Sequence, residues 1–380
     1  IAVTGSSGKT TTVSLLSHIL SADFQVRTLA DRNSFDNAAQ TLRRMSSKDH
    51  FVVLELATER PGQLERVTRL VKPDISIVTL VALEHQVAFR SVAAVAEEKA
   101  AIVRGLSSTG LAILNADDTN VRGMAALTSA RTVLFGTSPA DYDTTGLRTS
   151  LCGELALAIR HGDRRIELET NLIGAHNWLA VSAAVACALE IGVSPQTIAD
   201  RVATFQPVVR RLSLHRVPNG PTFLLDTAKA PYHSLKLPLE TLKGISAVRK
   251  RFVLGQISDY AGNSTAKYRD AYRAAREAAD EVIFIGATAH KACASDDDVA
   301  QGKFRAFATV EAASAYLKDT VVAGEIILVK SASNLHLERL LLNWVDAVHC
   351  WPNECGNRAS CFECNRYRAP FSEHGGRTRP

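Results

Sequence analysis

Apolar and polar positions alternate along this chain in more than one rhythm. Three blocks, Phe51 to Leu56, Asp74 to Thr79 and Leu111 to Asn115, are nearly all apolar, which predicts strands of a parallel sheet covered on both faces. Between them, Pro61 to Val71 and Val92 to Arg104 carry helical spacing. Strands and helices in this alternation predict an α/β domain. The opening Ile1 Ala2 Val3 Thr4 is one more apolar strand. Because Ile1 stands inside it, a segment upstream is expected. After about Thr144 the rhythm shortens: Glu154 to Arg160 and Arg165 to Thr170 predict a small antiparallel excursion, and an alanine-rich helix follows from His176 to Ile191. The Pro-bearing stretch Phe205 to Arg211 reads as a linker. Beyond it, apolar strands recur at Phe223 to Asp226, Phe252 to Gly255, Glu281 to Gly286 and Glu325 to Val329, with helices between. No internal repeat is seen.

Composition narrows the class. With 380 residues, 46% of them hydrophobic, the chain can bury two cores. A net charge of +5 is too diffuse to argue for nucleic acid. No apolar run approaches a membrane span and no secretory signal is present. A cytoplasmic enzyme is the expectation, with small molecules rather than membranes as partners.

The first strand runs into Gly5 Ser6 Ser7 Gly8 Lys9 Thr10 Thr11 Thr12, which reads as a phosphate cradle. Glycines at 5 and 8 let the loop turn with its N–H groups inward, Lys9 can reach the outer phosphates of ATP, and the Thr10 hydroxyl can ligate Mg²⁺. The usual pattern puts a first Gly at position 3, where this chain has Val3. The shortened Thr-Gly-x-x-Gly-Lys-Thr-Thr loop resembles that of the Mur ligases, which make amide bonds with ATP.

That resemblance extends along residues 1 to about 346. Phe51 to Ala57 followed by Pro61 Gly62 is similar to the family's strand carrying a magnesium-binding Glu, which implies that role for Glu55. A carboxylate ending an apolar strand beside a phosphate loop also offers a hard cation the oxygen it needs. Lys72 to Thr79, Glu84 His85, Phe89, Ser91 and Glu98 Lys99 resemble the stretch holding a metal-binding His and a CO₂-carbamylated lysine, implying that His85 ligates Mg²⁺ and that Lys99 becomes a carbamate donor. Asn115 to Asp118 resembles the family's Asn-x-Asp-Asp turn. Gly174 Ala175 His176 Asn177 resembles its Gly-x-His-Asn helix start, whose Asn contacts adenine, although the family's next Asn is here Ala180. In the second half, Arg211 matches a linker Arg that touches ATP phosphates. Asp226 matches an Asp that holds the ribose, in a motif whose Tyr and His are replaced by Thr227 and Lys229. Ser331 stands where the D-alanyl-D-alanine-adding branch has Gly. These substitutions cluster where the incoming amine should bind, which implies a changed acceptor. The family's cell-wall members carry an N-terminal uridine-nucleotide domain; here it is expected either upstream or not at all, the acyl substrate then being of another kind.

The resemblance implies an α/β chain with a P-loop parallel-sheet ATPase domain over 1–207, a smaller Rossmann-like domain over 208–346 and a Cys-rich tail over 347–380. It implies an ATP-dependent ligase joining a carboxylate to an amine through an acyl phosphate, without a side-chain nucleophile. The alternative is a degenerate nucleotide-binding scaffold acting through its tail. A P-loop switch is weaker, for want of a guanine-reading motif. Of seven cysteines, Cys152, Cys187 and Cys293 read as isolated packing thiols. Cys350, Cys355, Cys361 and Cys364 are spaced like a compact tetrathiolate site for structural Zn²⁺, with free thiols and disulfides as alternatives. Arg358, Arg366, Arg368, Arg377 and Arg379 leave open a docking surface for an anionic protein or a merely solvated tail.

Overall fold

The computed structural model describes residues 1–374 apart from 32 and 87. The chain divides into two compact units: residues 1–150 with 154–208, and residues 151–153 with 209 onward.

The first unit is a nine-stranded sheet in the order β2-β3-β1-β4-β5-β6-β7-β8-β9 among the described residues. Its strands are β1 (Ala2–Thr4), β2 (Val26–Leu29), β3 (Phe51–Glu55), β4 (Ile75–Val78), β5 (Leu111–Asn115), β6 (Arg131–Gly136), β7 (Tyr142–Thr149), β8 (Glu154–His161) and β9 (Arg164–Ile173). From β2 to β7 neighbours are parallel. Side chains alternate across a strand. Val3, Val53, Ile77 and Ile113 therefore pack with helices Lys9–Leu20 and Trp178–Ile191. Ala2, Leu54, Val78 and Leu114 pack on the other side with Val95, Ile102 and Val103. Both faces are buried, which is why these strands read as continuous apolar blocks.

Two expectations are corrected. The antiparallel segments form no separate excursion: β7-β8 and β8-β9 pair antiparallel and carry the main sheet on to its edge. The helix expected over Val92 to Arg104 breaks at Ala100, giving Val92–Lys99 and Ala101–Arg104, because an i→i+3 bond from Val103 N to Ala100 O tightens the turn there.

The second unit holds a six-stranded sheet, β10-β11-β15-β12-β13-β14, from β10 (Ser213–Arg216), β11 (Thr222–Asp226), β12 (Lys250–Leu254), β13 (Glu281–Ile285), β14 (Phe304–Phe307) and β15 (Ile326–Lys330). Within this sheet only the β10-β11 pair is antiparallel among the described strands. The Cys-rich stretch contains no strand among its described residues, only a short helix Cys361–Cys364 and a 3-10 turn Phe371–Glu373. Val348, Cys350, Cys361 and Tyr367 form a small cluster with Leu342, and Trp351 and Phe362 join it to the core of this unit.

Candidate functional site

The phosphate loop is held open by geometry that only glycine permits. Gly5 has φ 149°, and a Cβ there would meet Thr79 Oγ1 at 1.9 Å; Gly8 has φ 80°. Thr79 Oγ1 donates to Ser7 O at 2.6 Å, Ser6 N to Leu80 O at 2.8 Å and Ser6 Oγ to Ala82 O at 3.0 Å. The loop is thus stitched to the segment after β4. Lys9 is buried and donates to Gly5 O at 2.6 Å. Thr11 starts the same helix and is buried beside it.

The parallel register Val3↔Glu55 places the last residue of β3 at the loop. Thr10 Oγ1 donates to Glu55 Oε2 at 2.8 Å; Asp31 N donates to the same oxygen at 2.8 Å, and Asn33 Nδ2 to Oε1 at 2.8 Å. A buried carboxylate held by a hydroxyl and two N–H donors is fixed in orientation, as a hard-cation ligand must be.

Lys99 ends its helix fully buried, with Nζ 2.5 Å from Glu84 Oε1. Burial acts to raise the Glu84 carboxyl, but the charges of Lys99 and Lys9, the Lys99 hydrogen bond and His85 outweigh it and hold its pKa below the ordinary value. Four groups from three segments, Lys9, Glu84, His85 and Lys99, therefore act on one another. Glu84 was not singled out by sequence reasoning; its only signal was its place beside His85. His85 itself sits in the left-handed region at φ 47°. Glu98, by contrast, turns away to accept from Thr58 Oγ1, Gly62 N and Leu64 N, capping helix Gln63–Val71. Asn177 donates its amide to Ile173 O at 2.7 Å, at the start of Trp178–Ile191.

In the second unit Asp226 and Lys330 end adjacent parallel strands in register. Lys330 Nζ lies 2.6 Å from Asp226 Oδ2 and donates to Lys229 O at 2.7 Å. Burial pushes the Lys330 ammonium down; Asp226 opposes the shift and the Arg211 charge adds to it. The structure therefore brings Arg211 and Asp226 together around a third residue, Lys330. Ser331 is fully buried, accepting from Gln256 N at 3.2 Å and donating to Ala332 O at 2.7 Å.

The chain matches the Mur ligase middle domain over residues 3–188 and the Mur ligase glutamate ligase domain over residues 210–333. The chain belongs to the Mur ligase family. This Mur ligase is 28% identical over 361 residues to a UDP-N-acetylmuramoyl-tripeptide–D-alanyl-D-alanine ligase of Mycobacterium tuberculosis, covering 88% of this chain and 70% of that one. It is 30% identical to the enzyme of that name from Haemophilus influenzae, over 71% of this chain and 60% of the relative. Its fold matches MurF from Acinetobacter baumannii with a TM-score of 0.79 and 23% identity, covering 90% of this chain and 75% of that one. It likewise matches the MurF ligase of Thermotoga maritima in complex with ADP, at a TM-score of 0.78 and 20% identity, over 90% and 78% of the two chains. It is an ATP-dependent amide-bond-forming ligase of this family, and nothing in these comparisons supports the scaffold alternative. No described helix is long and apolar enough to cross a membrane.

The tail of this Mur ligase is organised around a residue the sequence had not flagged. Among the described residues, His336, Glu338 and Cys361 form the one group of three or more metal-ligating side chains whose ligand atoms lie within 4.8 Å of one another. Burial opposes the charge of His336, but its contacts with the Cys355 and Cys361 thiols and with Glu338 push its pKa up to about 12. Cys350 feels the charges of Cys361, Cys355 and Cys364. Of the four predicted cysteines only Cys361 belongs to that group among the described residues, and Cys355 joins it through its contact with His336.

Proposed function

We propose that the chain activates a substrate carboxylate with ATP and joins it to an amine, with the first unit as the activating half. The observation that carries this is the set of Lys9, Thr10, Glu55, Glu84 and Lys99, all buried, with the half-buried His85, around one phosphate loop. Gly5, Ser6, Ser7, Gly8, Lys9, Thr10 and Thr11 would cradle the phosphates and Asn177 would meet the adenine; for Arg211 and Asp226 the proposed roles are phosphate and ribose contacts.

The donor set fits Mg²⁺: a hydroxyl at Thr10, a carboxylate at Glu55, an imidazole at His85 and an oxygen on Lys99 once it is carbamylated. Bound there, the ion would supply charge stabilisation to the transferring phosphoryl group. Lys9 neutralises charge on the same group, the loop amides orient it, and the acyl phosphate formed on the substrate is then open to attack by the amine. A carbamate needs the neutral amine of Lys99, and full burial favours the uncharged form while Glu84 opposes it.

We further assign structural Zn²⁺ to Cys350, Cys355, Cys361 and Cys364, and the cytoplasm as the place of action. The relatives' names give a UDP-N-acetylmuramoyl-tripeptide and D-alanyl-D-alanine as their substrate pair. For this chain the replacements at Thr227, Lys229 and Ser331 favour a different amine. The test is phosphate release with that acyl donor and a panel of amines. Release with D-alanyl-D-alanine above all others would overturn the altered acceptor, and no release with any carboxylate and amine pair would count against the ligase reading of the site.

A further inference from the structure

Zinc at the four cysteines would organise a segment that has little core of its own; where that segment is anchored says more. Arg339, 1% exposed, donates to Cys350 O at 2.7 Å and Pro352 O at 2.9 Å, and within its own segment to Leu335 O at 2.8 Å and His336 O at 3.1 Å. Glu338 Oε1 accepts from Cys361 N at 2.9 Å, and His336 Nε2 lies 3.1 Å from Asn357 O. All three residues belong to the segment just after β15. Asn334, in the same segment, bridges Gln256, which follows β12, to Glu354 in the tail, the latter at 3.2 Å. The Cys-rich stretch is thus fastened to the carboxyl ends of β12 and β15, the edge at which open α/β sheets bind their ligands.

Resting on the zinc reading above, we propose that a Zn²⁺ tetrathiolate of Cys350, Cys355, Cys361 and Cys364 orders this stretch into one wall of the ligand crevice at that edge. His336, Glu338 and Arg339 are positioning residues for it, and the ligand is the amine-bearing small molecule or peptide that accepts the acyl group. On binding, four thiols give up their protons and the centre carries two net negative charges, part of which the permanently cationic Arg339, bonded to Cys350 O, offsets. Metal takes the place of apolar burial: the cluster under the tail is small, and segments with so little core need such a staple.

The full chain, purified without chelator, is expected to carry one zinc per chain with four sulfur neighbours at about 2.3 Å by X-ray absorption. A nitrogen at about 2.0 Å would make His336 a ligand and overturn its positioning role. Absence of zinc with all four thiols freely alkylated would sink the zinc reading itself. With zinc present, hydrogen exchange before and after chelation tests the wall. Protection should fall about tenfold at 255–259 and 331–338 as well as in the tail, and stay unchanged at 236–244, a helix with no hydrogen bond to the tail among the described residues. Loss confined to residues beyond 347 would leave the zinc reading standing and overturn the wall. Should chelation loosen the whole unit, Asn334→Ala in the zinc-loaded chain answers the same question: exchange at 255–259 should rise with zinc content unchanged, and no rise overturns the wall.

Discussion

The largest buried ionic sets of the two units lie at opposite ends of their sheets. In the first, Lys9, Glu55, Glu84 and Lys99 gather beyond the carboxyl ends of β1, β3 and β4. In the second, the largest ionic network lies at the amino ends of β12, β13 and β15. Arg251, fully buried, holds Glu281 at 2.9 Å and Glu325 at 3.5 Å, Arg249 holds Glu325 at 2.9 Å, and Tyr316 donates to Glu281 at 2.5 Å. Arg251 also donates twice to Thr320 at 2.8 Å. Both sets are buried and paired, yet only one surrounds a glycine-built loop. Burial of charge alone does not mark a site; its position relative to the strand ends does.

The comparison breaks most sharply at Lys9. Lys9→Ala should cut ATP turnover by about 10³-fold while the melting temperature stays near that of the parent, since among the described residues the one hydrogen bond of its side chain is to a loop carbonyl. Equal turnover in the two proteins would refute the cradle.

Lys99→Ala should also lose turnover, and short carboxylic acids should restore part of it by placing an oxygen where the carbamate stands. Lys99→Arg should stay inactive, because a permanent cation replaces an anion. Near-normal turnover in both variants would reduce Lys99 to a structural partner of Glu84.

Arg251→Ala should do the reverse of Lys9→Ala. It takes one partner from each of two buried carboxylates and should cost about 3 kcal/mol of stability, while nucleotide binding to the folded fraction is unchanged. Denaturant unfolding and a nucleotide titration check the two halves of this statement.

Glu84→Gln tests the pH linkage of the first set. The Glu84 pKa lies below its unfolded value, so its contribution is fully present above the ordinary carboxylate range and is lost as pH falls through the lowered folded value. The stability gap between parent and variant should therefore be widest at neutral pH and close in acid. A pH-independent gap would show that the pair contributes packing only.

The smallest effect is expected at Ser91, whose side chain accepts from Ala94 N at 3.1 Å and caps the helix carrying Lys99. Ser91→Ala should cost about 1 kcal/mol. A larger loss of turnover than of stability would show that this cap also aims Lys99.

Local pattern alone determined the phosphate loop, the apolar strands that flank it and the place of Glu55 at a strand end, because backbone turns, strand burial and strand ends depend on neighbours in sequence. The tail cysteines were legible for the same reason: a metal-like spacing is a local signal. Tertiary structure decided the rest. It paired Glu84 with Lys99 across fifteen positions, turned Glu98 from a motif residue into a helix cap, and ran the polar strand β7 and the hairpin after it into the main sheet. It also brought His336, Glu338 and Arg339 under the cysteines, though no spacing links His336 to Cys361. Pairs of charges far apart in sequence carry no periodicity, and only the packing that removes them from water makes each one's partner a necessity.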